Sequence, residues 1–407
     1  MVSRVNKSRG RARSPSEVVQ VIDLFSGCGG MSYGFKMANT ANLRFEVLGG
    51  LDTDRYANAT YSAMLNRPAL QQDVRELRDP KVLRGALKIW GYDPTKRLVL
   101  IGCAPCQGFS SHRKKDSRKD DRNELLAAFG DIASMLKPDA ILMENVPEML
   151  HRNHWSHFAM FKKRIARSGY MTRARLYNLA SFGVPQERYR ALVLAARDHR
   201  YLEMPLPTHQ PSEFVTVRDA IGHLPPLVAG QSSPSDPMHL TSRHRPETVH
   251  LLSLIPHDGG SRCSLPQGVG PDCHKRVDGF RDVYGRLWWD KPAVAITARC
   301  RTPSCGRYTH PIQDRGLSVR EAALLQGFPQ EFQFQGPFDD KYKQIGNAVA
   351  PIFSRALALH LDLALVGRAA PSSVEDDVIA PIGKSISSAL AGMKRQLRLA
   401  ETLEVAA

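Results

Sequence analysis

In the first two hundred residues, short apolar runs alternate with longer stretches of helical periodicity, and few architectures accept that rhythm. The runs are VVQVIDLF (18–25), FEVLGGLD (45–52), RLVLIGCAP (97–105), DAILMENV (139–146) and YRALVLAAR (189–197). They are rich in Leu and β-branched residues, and each of the first four closes on polar or Gly/Pro residues. The pattern predicts βαβ units. It implies an α/β fold: a mostly parallel, doubly wound, Rossmann-like sheet with helices on both faces and ligands at the carboxyl ends of the strands. Chemistry is therefore expected just after each strand.

From about 198 to 316 the texture changes to Pro, Ser, His and Arg with few periodic apolar runs, which reads as a smaller, loop-rich second domain. Helical periodicity returns in LSVREAALLQGF (317–328) and APIFSRALALHLDLAL (350–365), the latter long enough to pack back on the sheet. The chain thus divides into a basic flexible tail (1–17), the main α/β domain (18–197), the loop-rich domain (198–337), a returning segment (338–366) and a C-terminal tail (367–407) without evident chemical residues. Trp288 and Trp289, ahead of a short strand-like PAVAIT, read as core.

Fifty-six Lys and Arg against 40 Asp and Glu give a net charge of +16, which suits a partner of dense negative charge. Seven cysteines, an odd number over a long chain, do not make a secreted disulfide framework. No unbroken apolar run reaches the ~18 residues of a membrane span, and the N-terminus lacks the apolar core of a signal peptide. The expectation is an intracellular, cytoplasmic protein.

The first run leads into DLFSGCGGMSYGF (23–35), where Gly27, Gly29 and Gly30 allow close approach of backbone to a ligand at a helix N-terminus. Ser32 stands where the dinucleotide fingerprint needs glycine, which disfavours nicotinamide and flavin. Asp52, at the second strand end, is placed to accept hydrogen bonds from ribose hydroxyls, and Asp73 to meet an adenine edge; together they suggest an adenosine-bearing cofactor. The third strand runs into GCAPCQGFS (102–110), presenting Cys106 after a proline. Cys103 and Cys106 form a CxxC, which also permits a redox pair or half a zinc site, although a second CxxC at zinc-ribbon spacing is missing. Cys263, Cys273, His274, Cys300, Cys305 and His310 fit no common zinc spacing, and no metal is expected. Glu144 closes the fourth strand, a carboxyl group beside a strand-end cysteine. In SFGVPQERYR (181–190), Gln186, Arg188 and Arg190 alternate, so an extended segment would align them on one face toward a base oxygen and a phosphate.

DLFSGCGG, APCQGFS, ENVPE, FGVPQERYR, REAALLQGFP and KQIGNAV occur here in the order found in the C5-cytosine DNA methyltransferases, which the chain resembles over about 20–366. The resemblance implies methyl transfer from S-adenosyl-L-methionine to carbon 5 of a cytosine flipped out of duplex DNA. It implies Cys106 as nucleophile, Glu144 as the acid at cytosine N3, and Arg188 and Arg190 as the partners that orient Glu144 and hold the cytosine. It also implies cofactor contacts from Phe25, Gly27, Gly29, Asp52, Asp73 and Asn347. On this basis 18–197 is the catalytic and cofactor-binding domain, 198–337 the target-recognition domain, and the Lys/Arg-rich stretch 110–124 a loop that closes over phosphate and base. A monomer is implied, belonging to a restriction-modification system with a separate restriction endonuclease or acting as an orphan methylase. Two positions depart from the pattern: cysteine follows Gly102, and Ala350 separates GNAV from Pro351. A tRNA cytosine methyltransferase on the same scaffold is the nearest alternative, and a non-catalytic DNA-binding regulator a more distant one.

Overall fold

A computed structural model of the chain describes residues 17–104, 123–197, 203–266, 268–271, 281–368 and 370–405, the last ten of these as backbone. Strand β1 (Glu17–Leu24) carries an uninterrupted buried run from Val19 to Leu24, the composition of a parallel strand covered on both faces. It lies between β2 (Leu43–Asp52) and β4 (Arg97–Gly102), parallel to both. The short β3 (Ala69–Gln71) extends the sheet beyond β2, and β5 (Ala140–Asn145) follows β4 on the other side. Their carboxyl ends, Leu24, Asp52, Gly102 and Asn145, therefore meet along one edge.

The crossovers between these strands are α1 (Gly30–Met37), α2 (Arg55–Leu65), α3 (Pro80–Trp90) and α4 (Asn123–Leu136); α5 (Trp155–Ala166) follows β5. Beyond β5 the sheet changes direction. Strand β6 (Met171–Asn178) forms the far edge, β7 (Gln186–Glu187) leaves the sheet, and β8 (Tyr189–Ala196) inserts between β5 and β6, antiparallel to both. Pairing of Asn145 with Ala191 brings the start of β8 to the edge where β5 ends, so Arg190 enters the site beside Glu144.

The loop-rich region contributes short helices, α6 (Val217–Ile221) and α7 (Pro246–Ser253), and one two-residue strand, β9 (Ala293–Val294), which pairs in parallel with β7. Trp288 and Trp289 are half-buried rather than enclosed. Trp288 lies under Arg307 (4.1 Å) and Lys291 (4.9 Å), and Trp289 beside Arg218 (5.3 Å) and edge-on to His310.

The chain returns through α8 (Val319–Leu325), α9 (Phe338–Asn347) and α10 (Pro351–Leu365). Helix α10 packs on α1 at Gly34, where a β-carbon would sit 2.6 Å from Pro351 O and Arg355 N; Ser354 Oγ completes the contact by donating to Met31 O (2.5 Å). The stretch 338–365 is long and apolar enough to cross a membrane by length and composition. It is divided at Ala348–Ala350 into two helices, and most of its apolar window is buried inside the protein. The segment after 367, set apart in the sequence as a tail, folds back on the main domain and ends in α11 (Ile386–Val405).

Candidate active site

The loop between β1 and α1 is shaped by its backbone. Phe25, Gly27 and Gly29 all have positive φ (61°, 51° and 86°), a region that costs a bulky residue such as Phe25 conformational energy. The two glycines are there for different reasons. A side chain at Gly27 would project into open space, whereas one at Gly29 would strike Tyr61 and Leu65 at 2.8 Å. Gly30 faces Val349 O, which would lie 2.3 Å from a β-carbon, so the loop is pressed against the turn that follows Asn347. Asn347 itself is exposed at the end of α9.

Asp52 closes β2 beside this loop. Its Oδ2 accepts from Gly27 N (2.9 Å) and its Oδ1 from Asp54 N (2.9 Å), while burial pushes the carboxyl above the usual carboxylate range. Asn58 Nδ2 holds the strand end through Asp52 O (2.8 Å). Below it, Ser32 Oγ donates to Asp23 Oδ2 (2.6 Å), and burial raises the Asp23 carboxyl to about 7. Ser26 Oγ is buried and, among the described residues, has no hydrogen-bond partner. Asp73 caps the turn Val74–Arg78; its carboxylate takes Arg75 N, Nε and Nη2, and the guanidinium holds it below its ordinary range.

Along the same edge, Glu144 is 3% exposed at the end of β5. Its two oxygens differ. Oε2 accepts from the Cys103 thiol (3.2 Å), a contact that nothing in the sequence pattern announces beyond the unusual cysteine after Gly102. Oε1 lies 2.9 Å from Arg190 Nε, but off the line of a hydrogen bond, so it keeps an unfilled acceptor direction. Asn145 Nδ2 donates to Ala104 O (3.2 Å), pinning the turn after β4 to the end of β5. Cys106 and the stretch 110–122 lie outside the described residues.

Arg188 is fully enclosed and does a different job from Arg190. Its Nη1 donates to Ile296 O (2.6 Å) and its Nη2 to Gly346 O (2.9 Å), joining three separate segments of chain. Its Nε is buried without a partner among the described residues. Burial, with Arg190 nearby, brings its pKa down to about 9. Gln186 does not share the open face expected of it. It is fully buried, donates to Leu325 O (2.8 Å) and Gln326 Oε1 (2.7 Å), and accepts from Ile296 N (2.9 Å), which leaves nothing for a base or phosphate. Among the described residues, no group of three or more His, Cys, Asp or Glu is placed to hold a metal ion.

Known proteins resemble this chain over most of its length. Residues 19–362 match the C-5 cytosine-specific DNA methylases. The Type II methylase M.HgiDII of Herpetosiphon aurantiacus is 36% identical over 356 residues, spanning 85% of this chain and 96% of that protein. The Type II methyltransferase M1.HphI of Haemophilus parahaemolyticus is 34% identical over 340 residues, spanning 83% and 85%. Among solved structures, a protein encoded within an E. coli prophage superposes with a TM-score of 0.64 at 22% identity, over 86% of this chain and 99% of that one. The S. pombe Dnmt2 methyltransferase gives 0.52 at 16%, over 86% and 99%. At such identities the structural likeness is one of fold. The sequence match extends through both the sheet and the returning helices, and on that ground the chain belongs to the C-5 cytosine-specific DNA methylase family and is a DNA (cytosine-5-)-methyltransferase.

Proposed function

We propose that this enzyme moves the methyl group of S-adenosyl-L-methionine to carbon 5 of a cytosine rotated out of a specific duplex site, with Cys106 as nucleophile and Glu144 as acid. The observation that carries it is the environment of Glu144: a buried carboxyl group with one oxygen held by Cys103 and the other open, beside the buried Nε of Arg188, which among the described residues has no partner. With the carboxyl group protonated, its open oxygen would donate to N3 of a cytosine, and the Arg188 Nε–H would donate to O2 of the same ring.

The donor pocket fits the cofactor. Asp52 suits ribose hydroxyls, the open side of Gly27 leaves room for the ligand, Ser26 Oγ offers a free hydroxyl, and Phe25 is held in a strained conformation at the rim. Asp73 would reach an adenine amino group only through a carboxylate already bonded to Arg75. When bound, S-adenosyl-L-methionine supplies an electrophilic methyl group.

Carbon 5 of cytosine is a poor nucleophile. The Cys106 thiolate adds to C6 while Glu144 gives its proton to N3, and the electrons released into the ring allow C5 to take the methyl group. A water molecule acting as base takes the C5 proton, the C5–H electrons re-form the C5–C6 double bond and expel the Cys106 thiolate, and the N3 proton returns to Glu144. Arg190 keeps the carboxyl oriented, and Arg188 takes the base oxygen. Extruding the base costs a few kcal/mol, which contacts from 110–124 would offset.

The region 198–337 is the target reader, and the net charge of +16 suits a phosphate backbone. The Type II names of both relatives support a restriction-modification setting with a separate endonuclease, in which this chain acts as a cytoplasmic monomer. Duplex DNA carrying 5-fluorocytosine at the target should trap a covalent adduct that survives denaturation. Cys106→Ala should abolish both adduct and turnover while calorimetry finds the affinity for S-adenosyl-L-methionine unchanged. Substantial turnover by that variant would overturn the mechanism.

A further inference from the structure

The chain continues past the residues that match the family, and its next segment lies against the edge strand β6 and the turn that follows β5. Asp377 is enclosed between Arg173 and Arg175 of β6, accepting from Arg175 Nε (3.2 Å) and Nη2 (2.9 Å) and from Arg173 Nε. Ser372 Oγ donates to Glu203 Oε2 (2.9 Å), which also takes Arg173 Nη1 (2.9 Å). Val378 N then donates to Ala174 O (2.8 Å), continuing along the edge strand. Ile382 reaches the turn that leads on from Glu144: its N–H donates to Leu150 O (3.0 Å) and its carbonyl accepts from Arg152 N (3.1 Å). In α11, Leu390 and Met393 pack against the apolar cluster of the main domain. Lys394 Nζ meets Glu187 Oε2 (2.6 Å) and stands 5.6 Å from the Tyr189 ring. Tyr189 O in turn accepts from Arg190 Nη1 (2.7 Å).

We propose that residues 372–394 form a strap that positions the catalytic carboxyl group. It ties three segments together from outside: the edge strand β6, the turn leaving Glu144, and the residues leading into Arg190. Neither Glu144 nor Arg190 is touched by the strap. Each is held by a segment that the strap holds, so the mutual placement of acid and guanidinium depends on it. This rests on the role assigned above to Glu144.

The test uses the full chain. Ile382→Pro removes the donor to Leu150, Lys394→Ala the contact with Glu187, and Lys394→Arg restores a cation there. Steady-state methylation of duplex DNA, calorimetry of S-adenosyl-L-methionine binding and thermal unfolding are read on each. Ile382→Pro and Lys394→Ala should lower kcat about fivefold or more, with KM for DNA, donor affinity and Tm nearly unchanged, and Lys394→Arg should recover most of the loss. A kcat within twofold of the parent in both variants overturns the strap. So does a fall of kcat and Tm together, with loss of donor binding, which marks a merely structural role. Glu144→Gln run alongside separates the two ideas: if it stays active, the role of Glu144 fails, and if it is inactive while the strap variants are unimpaired, only the strap fails.

Discussion

A carboxyl group that hands a proton to a ring nitrogen needs one oxygen held and the other open, and at Glu144 the neighbours divide the oxygens in that way. Cys103 is the less expected of them. Its thiol is a weak donor, but inside a closed site a hydrogen bond to a charged acceptor is worth ~1 kcal/mol or more. Cys103→Ala is expected to slow single-turnover methylation about fivefold, and Cys103→Ser, which keeps a donor, to recover it; equal rates in all three proteins would sink the assignment. Glu144 and Arg190 are legible in the sequence because each sits at a strand end that the apolar pattern marks. The CxxC points to redox and metal chemistry, and neither suggests that its first thiol faces the carboxyl group. The division between Arg188 and Arg190 is hidden for another reason: alternation fixes which face a residue takes, but not which partners wait there.

At the scale of elements, five of the seven strands described in the main sheet can be read from their apolar runs, and two cannot. Strand β3 is three residues long, too short for any period to show. Strand β6, MTRARLYN, looks amphipathic at best, because Arg173 and Arg175 alternate along it; they are buried all the same, since Asp377, some two hundred residues later, pairs with both and Glu203 takes a second contact from Arg173. Without its partner in view such a strand reads as exposed. The contact of α1 with α10 shows the opposite case, in which one small residue fixes a packing distance. Gly34→Ala would force a methyl group onto the Pro351 carbonyl, at a cost of about 1–3 kcal/mol. Urea unfolding should show that loss, and calorimetry a weaker affinity for the methyl donor, because α1 begins at the donor loop. An unchanged midpoint would mean that the helices part freely.

Over the whole molecule, the loop-rich region shares the apolar cluster of the main domain through residues such as Leu287, Ile296, Phe332 and Phe334, and its irregular segments are gathered by enclosed guanidinium groups. Arg286 is fully buried and donates to the carbonyls of Leu252, Ile255, His310 and Gln313, besides pairing with Asp314. Composition alone makes this region look like surface, since nothing in a sequence distinguishes an arginine that gathers loops from one that meets phosphate. Arg286→Met should leave several carbonyls unpaired and cost about 3–5 kcal/mol, detectable by denaturant unfolding. A loss below ~1 kcal/mol would show that the loops hold without it. The loop after β1, proposed above to receive the methyl donor, is closed by residues far apart in the chain: Gly30 is pressed against Val349. A ribosome releases Gly30 early and Val349 only after more than three hundred further residues. Until then the donor loop lacks its wall, so a nascent or prematurely terminated chain has no finished place for the methyl donor.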